Sequence, residues 1–133
     1  MTNGQLRELR DVVVDVPEVR LVVVFGSVAR GDASPDSDVD VGVVGGGFWD
    51  QLGVGAKVGE RLQREAHVVD LGKAGEMLRY LVAREGIPIF EIDPATWARF
   101  QAEAAIGYFD FEPILKICAE AARRRIRVEA GIG

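Results

Sequence analysis

The sequence predicts an α/β (α+β) fold: a small mixed β-sheet flanked by helices, with a C-terminal helical extension. Three observations carry that reading. Leu21-Val22-Val23-Val24-Phe25 is a short, unbroken, β-branched apolar run, the pattern of a strand buried on both faces. Val39, Val41 and Val43 alternate with Asp38, Asp40 and Gly42, a period of two that marks a strand with one apolar and one acidic face. Elsewhere, apolar residues recur at helical spacing between glycine and proline breaks.

Taken in order, Leu6, Leu9, Val13 and Val14 give an amphipathic opening helix over residues 5–14, which Pro17 stops. The first strand covers about 20–25. Thirteen residues separate Phe25 from Val39, barely enough for a parallel crossover, so these strands are expected as antiparallel neighbours with a short helical turn at 27–30. Gly45-Gly46-Gly47 ends the second strand. Phe48, Leu52 and Val58 to Leu62 suggest a second helix, weakened by Gly53, Gly55 and Gly59. His67 to Leu71 reads as a third strand, 77–84 as a helix stopped by Gly86, and 87–90 as an edge strand because it contains Pro88. Asp93 as N-cap and Pro94 at the first helical position announce a helix that continues to about Arg127, interrupted or kinked near Gly107 and Pro113.

The chain of 133 residues, 48% hydrophobic, is long enough for a single domain, with a core over 1–93 and a helical segment over 94–133. Its one cysteine cannot form an internal disulfide. With no signal-peptide pattern at the start and no apolar stretch of membrane-spanning length, the expected compartment is the cytoplasm. A net charge of −5 opposes direct nucleic-acid binding. The one basic cluster, Arg123 to Arg127, reads as a solvated helix end complementing the helix dipole.

Chemistry concentrates in residues 26–40. Gly26 lets the backbone approach a triphosphate, and Ser27 opens a helical turn whose free N–H groups and hydroxyl suit phosphate oxygens. Arg30, one turn on, could reach the same phosphates or pair with Asp32 or Asp36. Ser37, just before the first strand carboxylate, is a further candidate nucleotide contact. Asp38 and Asp40, two residues or about 6.6 Å apart along one strand face, suit a pair of divalent ions roughly 4 Å apart. Two anions on a valine-rich strand are unfavourable without cations, and oxygen-only ligands favour Mg²⁺, with Mn²⁺ as the alternative, over Zn²⁺. Asp70, ending the third strand, is expected as a third carboxylate that ligands metal and helps deprotonate an incoming hydroxyl. All three are expected to converge beside the Gly-Ser turn.

Gly26-Ser27, ten residues, then Asp38-Val39-Asp40-Val41 resembles the signature of the DNA polymerase beta-like nucleotidyltransferase superfamily, and of its minimal single-domain members above all. That resemblance implies two Mg²⁺ ions on Asp38 and Asp40, ATP as substrate on Gly26 and Ser27, and Asp70 as the third carboxylate. The later stretches 86–94 and 108–111 are similar to MntA-type antitoxins, which implies a HEPN-family RNase toxin as partner and transfer of AMP to a toxin tyrosine. The triple glycine and the glycine-rich helix after it depart from the pattern. Two other readings stand beside this one. The chain could neutralise a toxin by occlusion alone, or could nucleotidylate a small molecule such as an aminoglycoside, although it has little room for the pocket that reaction needs.

Other residues receive structural readings. His67 has no oriented partner identifiable in sequence and reads as structural. Cys118 sits among apolar residues at helical spacing and reads as a small buried side chain. Trp97, Phe100, Tyr108, Phe109 and Phe111 read as core rather than as a stacking or partner-binding surface.

Overall fold

The computed structural model describes residues 1–129 and, within the last helix, all side chains but those of 111, 112, 114, 115, 118, 122 and 125–129. Nine elements follow in order: α1 (Asn3–Val13), β1 (Val19–Phe25), α2 (Gly26–Arg30), β2 (Val39–Gly45), α3 (Phe48–Leu62), β3 (Ala66–Asp70), α4 (Glu76–Glu85), β4 (Ile87–Glu91) and α5 (Thr96–Glu129). The strands form one mixed sheet in the order β3-β2-β1-β4. β1 runs antiparallel to both β2 and β4, and β2 pairs with β3 in parallel. Pro88 stands on the edge strand β4, where the register with β1 shifts between Val22 and Val23.

Both faces of the sheet are covered, which is why β1 is apolar without alternation. Val22, Val24, Val39, Val41 and Val43 pack under α1 and α3 against Leu9, Val13, Val54 and Val58. On the other face, Leu21, Val23, Phe25 and Leu71 meet Val82 and Ala83 of α4 and Phe100 and Ala104 of α5. The acidic face expected of β2 therefore exists only at the strand's entry. By Gly42 that face is buried, and a Cβ there would lie 2.7 Å from the Leu71 side chain.

Local chemistry sets several boundaries. Thr2 Oγ1 accepts from the Gln5 amide at 3.1 Å while Gln5 Oε1 accepts from the Thr2 amide at 2.9 Å, a capping box that starts α1 two residues earlier than apolar periodicity alone suggests. Gly86 ends α4 in an extended conformation, not a left-handed one, and its missing side chain leaves space for Val23 and the Val82 carbonyl. Asp93 caps a turn ahead of the helix, its Oδ1 accepting from the Ala95 amide at 2.9 Å, so α5 begins at Thr96, not at Pro94. α5 then continues past Gly107 and Pro113 as one helix.

The aromatic residues divide. Phe100 is buried, Trp97 stacks on it with centroids 5.8 Å apart, and Tyr108 stacks on Tyr80 at 4.1 Å. Phe109 is exposed instead of core. Arg123 and Arg124 are exposed as expected, with Arg124 3.5 Å from Glu120. The side chains of Phe111, Cys118, Arg125 and Arg127 lie outside the described residues, and among those described no helix is long and apolar enough to cross a membrane.

Candidate active site

β1 delivers the chain to the sheet rim at Phe25, whose partner across the antiparallel ladder is Asp40. There the backbone turns sharply. Gly26 adopts φ +74°, and a Cβ on it would collide with the Asp40 carboxylate. The glycine is thus needed twice, for its left-handed backbone and for the close approach of an acidic side chain. α2 starts at this turn, so the Gly26-Ser27 amides and the Asp40 carboxylate share one corner of the sheet.

The loop between α2 and β2 is braced from within. Ser37 Oγ accepts from the Ser34 amide at 3.0 Å and lies 2.9 Å from Ser34 Oγ. Arg64, just past α3, donates one guanidinium nitrogen to the carbonyls of Ser34 and Ser37, each at 2.8 Å. Asp38 follows directly, exposed, one residue before β2 begins. A hollow of about 720 Å³ borders this loop and α3, lined in part by Ser37, Asp38, Gly55 and Arg64.

Arg30 resolves the choice left open by its sequence. Its guanidinium bridges Asp32 at 3.3 Å and Glu85 of α4 at 3.2 Å, not Asp36. The Asp32 hydrogen bond, then that of Glu85, raises its pKa above the ordinary guanidinium value.

Asp70 does not join the pair. In the parallel ladder Asp40 stands beside His67, and Asp70 stands beside Val43, three rows further along. Three rows are about 10 Å, and an odd number of residues reverses the face. Its carboxylate instead accepts from the Gly72 amide at 2.9 Å, the turn-forming use of an aspartate at a strand end. The residue that faces Asp40 is His67, with Nδ1 3.4 Å from Asp40 Oδ1 and a side chain 69% exposed. A structural, core-packed histidine is excluded by that exposure. Only parallel pairing with this register brings His67 to Asp40, and sequence periodicity contains no such register.

Residues 7–95 match the family of polymerase beta nucleotidyltransferases, and the match spans both the Gly-Ser turn and the paired aspartates. The chain belongs to this nucleotidyltransferase family. No curated protein sequence matches it. Among solved structures, a chain from a toxin–antitoxin complex with AMP-PNP superposes with a TM-score of 0.72 at 17% identity, covering 92% of this chain and 99% of that one. A chain of the Shewanella oneidensis complex between a tri-AMPylated HEPN toxin and its MNT antitoxin gives 0.70 at 16% identity, over 92% and 99%. A third, from an MntA–HepT toxin–antitoxin complex, gives 0.69 at 15% identity with the same coverage. These likenesses establish a nucleotidyltransferase fold along nearly the whole chain.

Nucleotidyltransferases of this family imply divalent cations, and the residues present fit one. The turn at Gly26 lacks the Cβ that would displace the Asp40 carboxylate, and a second carboxylate, Asp38, stands two residues before it in the chain. Among the described residues no three His, Cys, Asp or Glu side chains already close around one point. Beside Asp40 stands the His67 imidazole, where the sequence led one to expect the Asp70 carboxylate. Arg64 is not singled out in sequence, and His67 reads there as structural. The hydrogen bonds of Arg64 run to backbone carbonyls about 30 positions away, a contact no motif announces.

Proposed function

We propose that this chain is a Mg²⁺-dependent nucleotidyltransferase that moves AMP from ATP onto a tyrosine hydroxyl of a HEPN-type RNase, silencing it as an antitoxin in the cytoplasm. The observation that supports this most is the closeness of the Gly26 backbone to the Asp40 carboxylate, which leaves no room for a Cβ between turn and strand. The MNT antitoxin that this chain resembles over almost its full length was solved bound to an AMPylated HEPN toxin, which supports the choice of acceptor.

In this reading Asp38 and Asp40 hold the cations, and the amides and hydroxyl at Gly26 and Ser27 orient the triphosphate. When bound, the metal neutralises the triphosphate and polarises the α-phosphate. The turn directs pyrophosphate out along α2, in line with attack from the opposite side. Arg30 pairs with Asp32 and Glu85 and fixes α2 against α4, and its side chain, 45% exposed, stays accessible to a phosphate. Ser37 acts through the loop that presents Asp38 more than through the nucleotide, since its hydroxyl is already engaged.

The test is incubation of the protein with labelled ATP, MgCl₂ and the HEPN protein encoded beside it. Label on the partner, lost in Asp38→Asn with Asp40→Asn, supports the proposal. If that double variant still neutralises the partner, occlusion is sufficient and transfer is dispensable.

A further inference from the structure

The geometry points to His67 as a nitrogen ligand of the cation held by Asp38 and Asp40, giving this site a mixed O,O,N donor set in place of three carboxylates. The inference rests on the assignment of those two aspartates as the cation site, and it goes beyond that assignment in naming the third donor.

Three observations carry it. His67 sits directly beside Asp40 in the parallel β2–β3 ladder, so both side chains leave the sheet on the same face at the same height. Further along that face Leu71 is buried and Val69 packs beside it against α4 and α5, whereas His67 is 69% exposed and lies beyond the apolar cover. Its imidazole is therefore free of packing duties. Finally, Nδ1 stands 3.4 Å from Asp40 Oδ1. That is long for an N–H···O hydrogen bond, which favours 2.7–3.2 Å. Two adjacent ligands of one ion, with bonds of roughly 2.1 Å at right angles, stand about 3 Å apart, so a small turn of the ring lets both atoms share a cation.

A nitrogen donor changes which metals the site prefers. Imidazole suits Zn²⁺ and the later first-row ions best; Mn²⁺, itself at home among oxygen ligands, still accepts a nitrogen donor more readily than Mg²⁺ does. The site should then bind Mn²⁺ more tightly relative to Mg²⁺ than an all-carboxylate site would.

His67 is the only histidine in the chain, so any imidazole nitrogen on a bound metal identifies it. The experiment is pulsed electron paramagnetic resonance on the untagged full-length protein with MnCl₂ alone, with Mn²⁺ and Mg²⁺ affinities measured by calorimetry. Directly coordinated imidazole ¹⁴N modulation is expected in the wild type and absent from His67→Gln, with Mn²⁺ affinity falling roughly tenfold or more. His67→Asp should bind Mn²⁺ without ¹⁴N modulation and lower the Mn²⁺-to-Mg²⁺ affinity ratio. Binding of Mn²⁺ that depends on Asp38 and Asp40 but shows no imidazole ¹⁴N would overturn the role of His67 and leave the aspartate site standing. Absence of Mn²⁺ binding, or binding unchanged in Asp38→Asn with Asp40→Asn, would overturn the site itself and this inference with it.

Discussion

Gly26 is constrained by its own backbone and by a neighbour's carboxylate at once, so a single methyl group tests both. Gly26→Ala must hold a strained left-handed φ and push Asp40 aside. We expect a stability loss of about 1–3 kcal/mol in urea unfolding. Transfer activity should fall further, by about 10²-fold, because displacing a reacting group by an ångström has that effect. Arg64 makes the complementary case. Its hydrogen bonds end on the Ser34 and Ser37 carbonyls, and Arg64→Ala removes both. The expected cost is about 1–2 kcal/mol in stability, with a raised KM for ATP as the loop carrying Asp38 loosens. An unchanged KM would mean that the loop holds its shape without this brace. The closeness of the Gly26 turn to Asp40 was legible in sequence because a local spacing of strand, turn and strand specifies it. That His67 and not Asp70 stands beside Asp40 was not legible, because it depends on strand register, and a shift of three rows moves a side chain to the other face.

At the level of elements, α3 shows why glycines that weaken a helix can still strengthen a fold. A Cβ at Gly55 would strike Val68 of β3, and one at Gly59 would lie 2.7 Å from the Arg64 carbonyl, whereas Gly53 faces open space. Gly55→Ala should destabilise by about 1–3 kcal/mol through overpacking, while Gly53→Ala should stabilise by about 0.5–1 kcal/mol through helix propensity. Parallel urea titrations of the two variants check the contrast, and equal effects would contradict the packing account. The glycine pattern read in sequence as a sign of a poor helix is thus the sign of a close helix–strand contact. The turn before α5 carries a pH dependence of its own. The Ala95 amide holds the Asp93 carboxyl below its ordinary 3.8. A depressed folded-state pKa contributes stability above the unfolded value and loses it as pH falls through the folded one. The melting-temperature gap between wild type and Asp93→Ala should therefore be constant near neutrality and shrink as the pH falls below 3.8.

For the molecule as a whole, the sheet buries valines on both faces and leaves its chemistry at one rim, where β1 ends and β2 and β3 begin. Strand identity, antiparallel β1–β2 pairing and the placement of β4 at an edge followed from periodicity, loop length and one proline. The parallel β2–β3 pairing did not, since a ladder's direction depends on where α3 returns the chain, which local pattern does not encode. What the rim does with ATP is decided most directly by the fate of two labels. The protein is incubated with its HEPN-type partner, MgCl₂ or MnCl₂, and ATP labelled at either the α- or the γ-phosphate. The expected outcome is α-label on the partner, no γ-label, and neither in Asp38→Asn with Asp40→Asn. Transfer of the γ-label, no transfer of either, or α-label undiminished in the double variant would contradict it.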